Sequence, residues 1–270
     1  MKTIKPTFIF LNQLKAYLQL TFILTFVTLS LMLTPYFGQA QISQGGTPFS
    51  FSGKIAESYP IEVMPSVDIQ AALKQDAIDD EAGGQPYRFG INIPVNINVL
   101  KQGETQILAG GNKLIRQGIR AAGAITINLT FSKFRLPKGA KLFIYNKDKT
   151  HVIGAFTDFN NQDDHKFGTI LIKGDEIALE YFEPANTEFK TELTIGIVTH
   201  GYKDAFGYAK AFGSSGSCET NVNCPAAAGW ECEKRSVVML VVGSNGFCTG
   251  ALVNNTNQNK TPYVDRKSVV

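Results

Sequence analysis

Cysteine is absent from the first 217 residues of this 270-residue sequence; Cys218, Cys224, Cys232 and Cys248 all follow that stretch. No disulfide can therefore staple the long N-terminal part, which needs a hydrophobic core of its own. Charge is scarce too: Asp, Glu, Lys and Arg make up 18% of the chain, and 26 basic side chains exceed 23 acidic ones by three. No Lys/Arg stripe forms, which excludes an electrostatic nucleic-acid surface. Histidine occurs at His151, His165 and His200 only, so the cysteine-bearing end has no imidazole to serve as a general base. With 44% hydrophobic residues the chain is neither disordered nor collagen-like.

The N-terminus carries Lys2, Lys5 and Lys15 ahead of an uncharged run from Leu18 to Leu33, followed by Pro35 and Gly38-Gln39-Ala40. A basic start, an apolar segment and small residues before a cut describe a secretory signal peptide over residues 1–40, cleaved between Ala40 and Gln41. The run is short for a spanning helix of roughly twenty residues, so we expect an exported protein, secreted or at the cell surface, with no membrane association after cleavage.

Residues 41–86 read as a connector, with a strand at Phe49 to Ile55 and a short helix capped by Ser66 that carries Ile69, Leu73 and Ala77. From Phe89 the period falls to two. Phe89, Ile91, Ile93, Val95, Ile97 and Val99 alternate with mostly polar partners, and Pro94 places this strand at an edge or a bulge. Further strands are expected at 124–131, 141–145, 152–156, 168–173, 176–182 and 192–198, separated by turn-forming stretches such as Leu136-Pro137-Lys138-Gly139. This spacing predicts an all-β module over residues 87–203, an antiparallel β-sandwich or jelly roll.

Chemistry is sparse in that module. Asp163, Asp164 and His165 could ligate a metal, but adjacent turn residues without a distant partner read as a solvated loop. Glu180 and Glu183 lack the second acidic cluster that a glycosidase site needs, and Asn128-Leu129-Thr130 has the form of a glycosylation acceptor. No metal and no cofactor is expected. Phe131, Phe134, Phe143, Tyr145, Phe156 and Phe159 would mark an adhesion or glycan-binding face if they lined up in solvent; their alternation favours a core.

Residues 204–217 are glycine-spaced and read as an exposed processing linker. Beyond it, Val237 to Val242, the turn Gly243-Ser244-Asn245-Gly246 and Phe247 to Val253 make a β-hairpin. The cysteine spacings of six, eight and sixteen lack the short knuckle of a zinc site. Four cysteines allow three internal pairings, or none. A nucleophilic Cys248 has no histidine after His200 to activate it.

The stretches Gly213-Ser214-Ser215-Gly216-Ser217-Cys218, Asn221-Val222-Asn223-Cys224-Pro225, Gly246-Phe247-Cys248-Thr249-Gly250-Ala251-Leu252-Val253 and Thr261-Pro262-Tyr263-Val264 resemble the start of the mature lysyl endopeptidase family of secreted trypsin-like serine proteases. Tyr87-Arg88-Phe89-Gly90, Leu136 to Ala140, Gly154 to Thr157 and Leu193 to Ile195 resemble the propeptide region of such precursors. The resemblance implies that residues 218–264 open a trypsin-like double β-barrel and that Cys248 is tied to a cysteine beside the catalytic histidine. Cys218 and Cys224 would pair with later cysteines, whereas Cys232 departs from the pattern. It also implies hydrolysis after lysine in protein or peptide substrates by a Ser-His-Asp triad, no member of which occurs here, and a propeptide whose partner is its own protease domain. Release would follow cleavage after Lys210, although Phe212 rather than lysine precedes Gly213. Residues 265–270 can be spelled by codons that form part of a common short-read sequencing adapter, and we expect them to be non-native.

Overall fold

The computed structural model describes residues 19, 43–52, 55, 58–83, 86–204, 225–253, 256 and 263–266. The chain divides into two compact units, residues 1–39 and 40–270, and every element below belongs to the second. Apart from residue 19, the expected apolar leader and its cut at Ala40 and Gln41 lie outside the described residues, among which no helix is long and apolar enough to cross a membrane.

In chain order the elements begin with β1 (Ile61–Val63), α1 (Ile69–Ala82), β2 (Tyr87–Arg88), β3 (Gly90–Asn98), α2 (Val99–Gln102), β4 (Glu104–Ile107), β5 (Lys113–Arg120) and β6 (Thr126–Arg135). They continue with β7 (Lys141–Asn146), β8 (Val152–Phe156), β9 (Phe167–Gly168), β10 (Ile172–Lys173), β11 (Glu176–Glu183) and β12 (Glu192–Gly201). The C-terminal part adds α3 (Glu231–Ser236), β13 (Val237–Val242), β14 (Asn245–Val253) and β15 (Tyr263–Arg266).

Three open sheets result. The first runs β1-β5-β11-β7-β8. One edge of β5 is shared, since β4 pairs antiparallel with residues 113–116 and β1 parallel with residues 118–120. The second runs β10-β6-β12-β3, with β9 also on β6. A single hydrophobic cluster draws on both, including Ile119, Leu142, Ile144, Leu179 and Tyr181 from the first and Ile127, Leu129, Phe131 and Ile195 from the second. The third runs β13-β14-β15 and takes β2 as an added strand on β14. It is an open sheet, and no barrel closes among the described residues.

The mostly β reading of residues 87–203 holds, with corrections. Pro94 sits on β3, which is an edge strand, and the β12–β3 register slips opposite it between Ile195 and Ile197. The strand expected at 168–173 is broken into β9 and β10, and the one at Phe49 to Ile55 is a 3-10 turn over Phe49–Ser52. The helix is capped by Asp68 rather than Ser66, its carboxylate accepting from the Ala71 N–H at 2.9 Å. The buried stripe of α1 is Ala72 and Asp76, while Leu73 stays exposed. β1, β4 and β5 were not anticipated, and the parallel β1–β5 pair makes the first sheet mixed.

Residues 43–52 and 58–64 form a strap over the outer face of the first sheet. The Gln44 N–H donates to Ala155 O (2.9 Å) and the Ala155 N–H to Gly45 O (3.1 Å), extending the sheet past β8. Phe51 and Tyr59 pack on a second cluster made by Phe143, Tyr145, Ala155 and Ala178. Under the strap, the carboxylate of Glu180 accepts from the backbone N–H groups of Phe49 and Ser50. At Gly118 the fit is tight, because a Cβ would lie 2.8 Å from Ile61 and 2.9 Å from Tyr59.

Candidate functional site at the root of the linker

Three segments meet at Phe89. Its side chain is fully buried, and its carbonyl accepts from the N–H groups of Tyr202 (3.0 Å) and Lys203 (3.1 Å), just beyond β12. The N–H groups of Phe89 and Gly90 both point the other way, to Ser244 O at 2.9 and 3.2 Å. Ser244 belongs to the β13–β14 turn, and the pairing continues as Arg88 with Asn245 and Tyr87 with Gly246. The β module thus holds the following segment by strand addition, the mode in which main-chain bonds supply the contact. Gly90 is required here because a Cβ would meet Thr199 Cγ2 at 2.8 Å and His200 O at 3.0 Å.

Helix α1 locks this strand in place. Asp76, 5% exposed, receives Arg88 Nη2 at 2.6 Å, the Tyr202 hydroxyl at 2.7 Å and Lys203 Nζ at 2.8 Å. Arg88 also donates to Ala72 O (3.2 Å), and the Lys203 ammonium lies 4.9 Å from the centre of the Tyr87 ring. Burial alone would raise the Asp76 pKa; hydrogen bonds from Lys203, Tyr202 and Arg88 outweigh it and hold the carboxyl below its ordinary range. Burial, then the hydrogen bond to Asp76, push the Tyr202 phenol up to about 12. Every group in the knot is engaged with another. The arrangement positions chain segments and leaves no free nucleophile–base pair.

Other candidates are dispersed by the fold. Glu180 and Glu183 lie three apart on β11 and so on opposite faces; Glu183 pairs with Lys113 and accepts from Thr191. His165, at positive φ, pairs with Glu192 through Nδ1 (2.9 Å), and Asp164 accepts from the Lys166 N–H. Asp163 and Asp164 line a shallow depression, and no group of three His, Cys, Asp or Glu gathers among the described residues. Asn128 is buried in mid-strand on β6, which closes the Asn128-Leu129-Thr130 acceptor in the folded module. Phe131, Phe134, Phe143, Tyr145 and Phe156 are buried and Phe159 alone of the six is exposed, so these rings form no aromatic platform. A cavity of about 500 Å³ beneath the strap is lined by Tyr59, Arg116, Tyr145, Lys147 and Glu176. Its charges are satisfied internally: Arg116 donates to Ser58 O, and Glu176 pairs with Arg120 and Lys147.

Cys232 lies on α3 as an exposed free thiol, and the Cys248 backbone sits in β14 opposite Leu240. Cys218 and Cys224, with Lys210, Phe212 and Gly213, fall outside the described residues. Sequence reasoning singled out Tyr87-Arg88-Phe89-Gly90 but missed Asp76, Tyr202 and Lys203. No local signal marked Asp76, because the stripe that buries it together with Ala72 is visible only in the fold.

Residues 212–265 match the family model of the lysyl endopeptidase C-terminal domain. No solved structure matches the chain.

Proposed function

We propose that the chain is the front part of a secreted serine endopeptidase precursor of lysyl endopeptidase type, in which residues 87–203 are the propeptide. The observation that carries this reading is the lysyl endopeptidase match over residues 212–265, directly after a module with its own core. The strand pairing of β2 with β14 supports a propeptide that engages the first hairpin of its own enzyme. Secretion follows from the signal-like residues 1–40, and cleavage after Lys210 within the linker would separate module from enzyme. Cys248 would be bonded to a cysteine beside the catalytic histidine, and Cys218 and Cys224 to later partners.

With no histidine after His200 there is no general base in the protease-like segment. The purified 270-residue chain should therefore show no hydrolysis of a lysyl peptide ester, and turnover that a serine-directed inhibitor abolishes would contradict this. The decisive test is long-read sequencing of the locus through the Val264 codon. The expected outcome is a frame that runs on into a His-Cys stretch and later a Gly-Asp-Ser-Gly-Gly motif. A stop codon directly after Val270 would sink the precursor reading.

A further inference from the structure

A lysine-directed endopeptidase must draw an ammonium into its specificity pocket while the flanking backbone lies extended in the cleft. At Lys203 both requirements are blocked. The side chain is 17% exposed, its Nζ is bound to Asp76 at 2.8 Å, and the same Nζ lies over the Tyr87 ring, 4.9 Å from its centre. Its N–H is bonded to Phe89 O, which anchors the chain to the strand that carries the Ser244 contact. Lys203 is nonetheless only one residue before the linker. By sequence alone, the bond between Lys203 and Asp204 is as good a lysyl site as any in the linker.

We propose that Asp76 masks Lys203 from lysine-directed proteolysis, so that water is not added across the Lys203–Asp204 peptide bond while the module is folded. Asp76 is a specificity-determining residue for processing, acting from the substrate side. A cut after Lys203 would free the end of β12 beside the fully buried Phe89, whereas a cut beyond residue 204 leaves the knot whole. The inference rests on the precursor reading for its biological meaning; its test does not, since a failed test would leave the locus-sequencing result untouched.

The test is native digestion of the full 270-residue chain with a purified lysine-specific endopeptidase, with fragments timed by mass spectrometry. In the wild type, cleavage after Lys203 should be slow. Asp76→Asn should accelerate it about tenfold, because cleavage tracks the population of the locally opened form. Asp76→Glu, which restores the charge, should recover most of the protection, and Lys203→Arg should remove the fragment. In concentrated urea the wild type and Asp76→Asn should be cut at equal rates, placing the protection in the fold. The proposal is overturned if native wild type is cut after Lys203 as fast as Asp76→Asn. It is equally overturned if the acceleration appears to the same degree at Lys113 and Lys173, which would report general unfolding.

Discussion

Replacing Glu180 with alanine is expected to lower the unfolding free energy of the β module by about 3 kcal/mol, the scale for removing a buried carboxylate that accepts from several donors. Glu180 is 1% exposed at the centre of the first sheet. Its oxygens take the N–H of Phe49 and of Ser50, and the Tyr145 hydroxyl reaches it at 3.4 Å. Losing the carboxylate leaves two part-buried backbone donors of the strap without a partner. It also loosens Phe49, whose ring stacks on Phe182 at 4.9 Å, and Phe51, whose ring meets Tyr145 edge-on at 5.0 Å. Urea denaturation followed by circular dichroism in the sheet band would measure the loss. A change under about 1 kcal/mol would mean that apolar contacts alone seat the strap. Glu180→Gln keeps an acceptor but brings an amide with two donors of its own, so it should fall between wild type and alanine.

The strap also explains which strands were legible. β3, β11 and β12 could be read from alternation because residues such as Ile93, Ile97, Ile177, Leu179 and Tyr181 fill one core. β5 sits between β11 on one side and β1 and β4 on the other, yet its sequence offers Leu114 and Ile115 in succession, then Arg116, Gln117 and Gly118. All five are buried, since one face packs in the core while the strap covers the other. A period of two cannot register when polar residues are buried by a segment some fifty positions away. Long separation hid the knot in the same way, because Asp76 and Tyr202 are 126 residues apart. What the family resemblance did mark was the strand Tyr87-Arg88-Phe89-Gly90. Its Gly90 is dictated by contact with Thr199 and its Phe89 by the core, so the sequence there is shaped by a meeting of segments.

Acidification is expected to destabilise the β module, and His200 should dominate the range below pH 6.5. Its residue is 1% exposed on β12, neither ring nitrogen has a hydrogen-bond partner, and burial lowers its pKa from the ordinary 6.5. The unfolded chain therefore binds a proton at a pH where the folded chain does not. Stability is complete above about pH 6.5 and falls as pH drops, until the depressed pKa of the folded state is reached, with a slope of at most about 1.4 kcal/mol per pH unit for one proton. His151 shifts the same way, through burial and then the charge of Lys173, but its partial exposure gives it a smaller share. Asp76 and Glu183, both held below the ordinary carboxylate range, add losses of the same sign at lower pH. Removing the imidazole removes the first of these steps. His200→Leu should flatten the dependence of the melting temperature between about pH 6.5 and 4.5 while leaving the carboxylate losses below it. An apolar side chain there also ends the burial of two unpartnered nitrogens, so the variant should be no less stable than wild type at pH 5. An unchanged slope in His200→Leu would assign the acid sensitivity to other groups.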